Sequence, residues 1–295
     1  MAQQIAIDPS ARADSAQSTD HLLEIAPDLA HQRLAIVNVA YWGMPYAGDR
    51  NWVLIDAGVI GSMGAIERAA RERFGSDARP RAIVLTHGHF DHVGALEQLA
   101  EHWDVPVYAH TLEAPYLNGS SSYPPPDPSV GGGLIALTSP LFPTAPVNLA
   151  SRLHILPADG SVPAMAGWRW MHTPGHSAGH VSLWREADRS LIVGDAFVTT
   201  AQESAYSVIT QGPEIHGPPM YFTPEWDKAG ESVRKLAALE PELVVTGHGR
   251  AMRGPQMRAA LQELALRFED VAVPQGAKYT KQPARAEDGT AYRAP

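Results

Sequence analysis

The chain has 295 residues, 44% of them hydrophobic, and a formal charge of −9. That length allows one large domain or two, and the acidic balance with no Lys/Arg block argues against a nucleic-acid or anionic-membrane surface. There is no cysteine, which excludes disulfides and thiolate ligands, so any metal must be held through nitrogen and oxygen. No apolar run of 18 residues and no signal-peptide core after Met1 are found, so cytoplasmic residence is the default expectation.

Residues 1–20 are polar and read as a loosely ordered segment ahead of a single domain over 21–295. Arg33–Ala40 reads as a strand, with Tyr41–Tyr46 as an exposed loop after it. Asn51–Ile55 reads as the next strand and ends at Asp56-Ala57-Gly58. Met63–Phe74 is helical in pattern, with Ile66, Ala69, Ala70 and Phe74 on one side. Ala82–Leu85 is a short buried strand and Val93–Glu101 a helix; the turn between them is Thr86-His87-Gly88-His89-Phe90-Asp91-His92. Val105–Ala109 is a further strand. Residues 117–150 break every pattern with serine, proline and glycine runs and read as a long insertion, either a surface loop or a lid.

The second half repeats the strand-and-loop order. Leu153–Leu156 and Trp168–Met171 lead into His172-Thr173-Pro174-Gly175-His176-Ser177-Ala178-Gly179-His180. Val181–Trp184 and Leu191–Val193 lead to Asp195, and Leu243–Val245 to Thr246-Gly247-His248-Gly249. Glu225–Leu239 reads as a helix capped by Thr223 with Pro224 at its first position, and Met257–Val271 as another.

Imidazole nitrogens and a carboxylate this tightly spaced on a strand-to-helix turn are what a transition metal needs. His176, Asp195 and His248 each stand at a strand end or in a Gly/Pro turn, where functional groups are exposed. Together these residues resemble the metallo-β-lactamase superfamily, with its H-x-H-x-D-H loop followed by His, Asp and His. The match spans about residues 33–270 and meets all seven ligand positions in order.

The resemblance implies an α/β fold, a four-layer αββα sandwich. It implies that His87, His89 and His176 hold one metal, that Asp91, His92 and His248 hold a second, and that Asp195 bridges them. The cofactor expected is two divalent ions, zinc first, with iron or manganese as alternatives. Asp91 would shuttle the proton, and Asp56 resembles the strand-end aspartate that orients a ligand histidine. His172 and His180 flank the His176 loop and read as orienting or structural groups. The reaction implied is hydrolysis by metal-activated water of an ester or lactone of a small, fairly apolar molecule. A thioesterase of glyoxalase-II type is the alternative, and a mononuclear iron persulfide dioxygenase the alternative from another class.

Two departures bear on substrate. No basic residue lies in Ala196–Glu203, where glyoxalase-II-like enzymes grip glutathione, and Val198 stands where lactonases carry a tyrosine, leaving Tyr206 or Tyr221 to approach from elsewhere. Tyr41, Trp42, Tyr46, Phe90, Phe197, Tyr221 and Phe222 read as pocket or core, and Arg250 as a rim or surface charge. The partner expected is a small-molecule substrate, with no nucleic acid and no membrane; a homodimer is compatible with this reading.

Overall fold

The computed structural model describes residues 5–13, 22–132, 134–202, 212 and 214–295. A seven-stranded sheet has the order β2-β3-β4-β5-β6-β7-β8: Leu22–Ala26, Leu29–Leu34, Val37–Trp42, Val53–Ile55, Ala82–Val84, Val107–Ala109 and Leu153–Ile155. A five-stranded sheet comprises β9 (Trp168–His172), β10 (Val181–Arg185), β11 (Ser190–Gly194), β13 (Leu243–Thr246) and β14 (Met252–Arg253), in the order β14-β13-β11-β10-β9. A small ladder pairs β1 (Ile5–Ala6) with β12 (Glu214–Ile215).

Side chains alternate across each strand, and both faces of each sheet find an apolar partner. Val53, Ile55 and Val84 face Leu183, Ile192 and Val245 in a core between the sheets. Leu54 and Ile83 point the other way, onto the helices Met63–Phe74 and Leu96–Trp103 through Ile66, Phe74, Leu96 and Leu99. On the far side Leu191, Val193 and Val244 pack against the helices Trp226–Ala237 and Gly254–Leu266. The result is helix, sheet, sheet, helix. Among the described residues no helix is long and apolar enough to cross a membrane.

Several expectations need correction. The apolar run Arg33–Ala40 is not one strand: β3 ends at Leu34, Ala35 turns with φ 58°, and β4 begins at Val37. Both arms of that hairpin are buried, so the turn carries no polar signal. Tyr41 lies in β4 and is fully buried rather than in an exposed loop. Residues 5–13 are not loose: Ile5, Ile7 and Ala11 are buried in the second-half core, while 1–4 and 14–20 lie outside the described residues. Thr223 caps no helix; Glu225 precedes Trp226–Ala237, and the Thr223 hydroxyl donates to the Pro219 carbonyl (2.8 Å).

Within 117–150 a short helix, Leu134–Thr138, forms, and Val130 and Ala136 enter the second-half core. The insertion is therefore anchored to the body rather than lying loose on it.

Candidate metal centre

The sheets present their loops at one edge, and there the seven sequence-selected donors converge. His87, His89 and His176 form one triad of ligand atoms, His87, His92 and Asp195 a second, and Asp91, His92 and His248 a third. In each, the ligand atoms lie within 4.8 Å of one another, and all seven side chains are buried. Asp195 Oδ2 sits at the middle, 3.1 Å from His248 Nε2, 3.4 Å from His176 Nε2 and 3.5 Å from His92 Nε2. His248 Nε2 lies 3.5 Å from Asp91 Oδ2.

The outer partners decide which nitrogen of each ring faces inward. The Thr86 hydroxyl donates to Asp56 (2.8 Å), so it accepts from His87 Nδ1–H at 3.1 Å and leaves His87 Nε2 as a lone pair. His92 Nδ1–H donates to Asp56 Oδ2 at 2.8 Å. His248 Nδ1–H donates to the Ile36 carbonyl at 2.6 Å, and His176 Nδ1–H faces the Thr223 hydroxyl at 3.3 Å. Four Nε2 atoms are thereby turned toward the centre. His89 joins by its other nitrogen, Nδ1, 2.8 Å from His176 Nε2, while Phe222 stacks on its ring at 4.7 Å.

His87 Nε2, His92 Nε2 and Asp195 Oδ1 are buried without a hydrogen-bond partner. Buried polar atoms are as a rule paired, and converging acceptors repel unless something positive lies between them. The donor set, nitrogens with two carboxylates, fits divalent cations.

The electrostatics separate the histidines into two groups. Burial pushes His87, His89 and His176 down, His89 to about 3, which keeps them neutral and ready to donate to a cation. Burial also opposes charge on His92 and His248, but Asp195 outweighs it, with Asp56 aiding at His92 and Asp91 at His248, and raises both. Burial alone would raise Asp195, yet His248 and His92 hold it well below the ordinary carboxylate range. Asp91 is raised, chiefly by burial.

Other candidates separate cleanly. Asp56, in the left-handed region at φ 60°, binds Thr86 and His92 and so orients two histidines at once. His180 accepts the Asp195 backbone N–H at Nε2 (2.8 Å) and thereby fixes the central carboxylate. His172 lies outside the cluster, stacked on His110 at 4.3 Å. Phe90 and Phe222 border the site, but Tyr41 and Phe197 are core, Tyr46 is exposed, and Tyr206 lies outside the described residues. Val198 is buried and paired with His216, and Tyr221 packs on Phe142 and Phe222.

Sequence reasoning missed Thr86, Thr223 and Glu113. The first two act through one hydroxyl each, a role no residue pattern announces. Glu113, fully buried, bonds the chain around His87 and His176 alike.

A family model described as the metallo-beta-lactamase superfamily matches residues 44–248. The chain is 49% identical over 236 residues to the probable metallo-hydrolase YflN of Bacillus subtilis (strain 168), spanning 80% of this chain and 89% of that one. It is 27% identical over 149 residues to the hydroxyacylglutathione hydrolase GloC of Haemophilus influenzae, spanning 50% of this chain and 61% of that one. Among solved structures, the Rm3 metallo-beta-lactamase superposes with a TM-score of 0.59 at 18% identity, covering 88% of this chain and 95% of that one, a likeness of fold.

Proposed function

Because this chain belongs to the metallo-β-lactamase superfamily, we propose that it is a dinuclear metallohydrolase that opens a small, neutral, fairly apolar ester or lactone. The observation that supports the substrate class is the apolar, uncharged lining of a narrow crevice of about 10 Å³ beside the first triad. His89 and His176 line it together with Tyr116, Tyr123, Pro124, Pro125, Phe222 and Tyr279, and no Lys or Arg does so among the described residues. The crevice has room for about one water, so it supports the reading through the absence of a cationic partner beside the triad rather than through room for a substrate.

His87, His89 and His176 would hold one ion and Asp91, His92 and His248 the other, with Asp195 between them. Zinc suits this nitrogen-rich set, and iron or manganese can occupy it. When bound, such a pair supplies an activated water and an electrophile for the carbonyl oxygen. The protein does the rest. Asp91 would accept a proton from the attacking water and pass it to the leaving oxygen. Phe222 and Tyr123 flank His89 and exclude bulk water from that edge.

The likeness to GloC favours a second reading, a glutathione thioesterase. The test is kcat/KM on a neutral lactone, a neutral aryl ester and a glutathione thioester at matched metal loading. The neutral substrates should win; a clear preference for the thioester would replace this reading with the second.

A further inference from the structure

Glu113 has no task in the chemistry above, yet its carboxylate is fully buried and saturated with donors. Oε1 accepts from the Ser177 hydroxyl and the Gly179 N–H, each at 2.8 Å. Oε2 accepts from the Gly88 N–H at 2.9 Å and from the Tyr123 hydroxyl. Gly88 stands between His87 and His89, and Ser177 follows His176. One carboxylate thus ties together both segments that present the first triad. None of its hydrogen bonds reaches Asp91, His92 or His248.

The chain is shaped to let this group pass. A Cβ at Gly179 would come within 2.7 Å of the Glu113 nitrogen and 2.9 Å of Oε1. One at Gly88 would come within 2.7 Å of the Tyr123 hydroxyl. Tyr123 belongs to the 117–150 insertion; its hydroxyl also accepts from Gly88 N–H at 2.9 Å, and its ring lies 4.4 Å from that of His89. A buried carboxylate is tolerated when donors fill its lone pairs, and here one of those donors comes from the insertion.

We infer that Glu113 is a positioning residue for the His87/His89/His176 triad, and that Tyr123 links the insertion to it. Seating of the insertion and capture of an ion at that triad therefore reinforce each other, while no hydrogen bond of Glu113 or Tyr123 reaches Asp91, His92 or His248. Coupling of this kind is reciprocal: if the seated insertion tightens ion binding, the bound ion must tighten the insertion.

The experiment uses the full chain with Tyr123→Phe and Glu113→Gln. Zinc affinity is measured by chelator competition, cadmium NMR reports the two ion positions separately, and amide hydrogen exchange is followed over Ser120–Gly132 with and without zinc. In the unaltered protein zinc should slow exchange there. Tyr123→Phe removes one hydroxyl, should weaken the first-triad ion about 10–100-fold, as loss of a group orienting metal ligands does, and should abolish zinc's effect on exchange. Its affinity for the second ion should fall less than its affinity for the first. Glu113→Gln, whose amide nitrogen cannot accept, should lose more; if it does not fold, Tyr123→Phe decides alone. Unaltered first-triad affinity in Tyr123→Phe, or zinc protection that survives it, would overturn the inference. Neither readout depends on which ester is opened, so the substrate assignment can fail without this one.

Discussion

His89 is the one imidazole of the cluster that turns Nδ1 rather than Nε2 toward its neighbour, with Phe222 stacked on its ring. Replacing it with alanine should remove the first-triad ion and the activity together, as metal content per chain and turnover would show. Asp91→Asn should behave differently, keeping that ion while kcat falls about 10²–10⁴-fold, the usual worth of a positioned acid–base group. Turnover near that of the unaltered protein would remove the proton-carrying role from Asp91. A separate prediction belongs to His110, half-buried against His172, whose pKa is held down to about 4 chiefly by burial. Between pH 6.5 and about 4 the unfolded chain takes this proton and the folded one does not, so stability falls as pH falls through that window. His110→Phe should flatten part of that decline in denaturation curves recorded across it; an unchanged slope would refute the assignment. The seven donors were readable because each stands in a short local pattern of His, Asp and Gly. Glu113 and Thr223 take their roles only from partners that tertiary folding brings, so no local pattern distinguishes them.

At the scale of elements, strands flanked by loops were readable wherever an apolar run ended in a polar turn, as at Ala82–Val84 before the His87 loop. The β3–β4 hairpin hid because its turn is as apolar as its arms. The insertion hid for the opposite reason, since proline and glycine conceal a segment held by aromatic packing. Phe142 is its visible clasp, 5.3 Å from Phe90 and in contact with Tyr221 and Phe222. Phe142→Ala should cost about 1–3 kcal/mol, below the range for a fully buried phenylalanine because the ring is only partly covered. It should also change KM across a series of acyl chain lengths more than it changes kcat. Denaturant melts and that series check the two halves of the prediction; kinetics identical at every chain length would leave the insertion as a cover with no say in substrate choice.

For the molecule as a whole, the two sheets meet in one core, and the donors cross that seam. His248 from the second sheet is held by the Ile36 carbonyl of the first at 2.6 Å, and Asn38 Nδ2 donates to the Thr246 and Gly249 carbonyls at 2.9 and 2.7 Å. An ion binding there binds only the folded chain, so its removal should lower stability by about 2.7 kcal/mol for free metal held at 100 times its Kd. Melting with and without chelator measures this; equal melting temperatures would mean that the donors do not capture an ion. The αββα layering followed from the resemblance, with the strand pattern merely permitting it, whereas the cross-sheet bonds were not readable, because they join residues 208–212 positions apart. Each of the three triads draws from both sheets. A break in the loop between Ile155 and Trp168 would therefore give two polypeptides, one carrying His87, His89, Asp91 and His92 and the other His176, Asp195 and His248, neither with a complete triad. Expressed apart, the pair would act as a metal-gated complementation reporter, with hydrolysis switched on only where the two fragments are brought together.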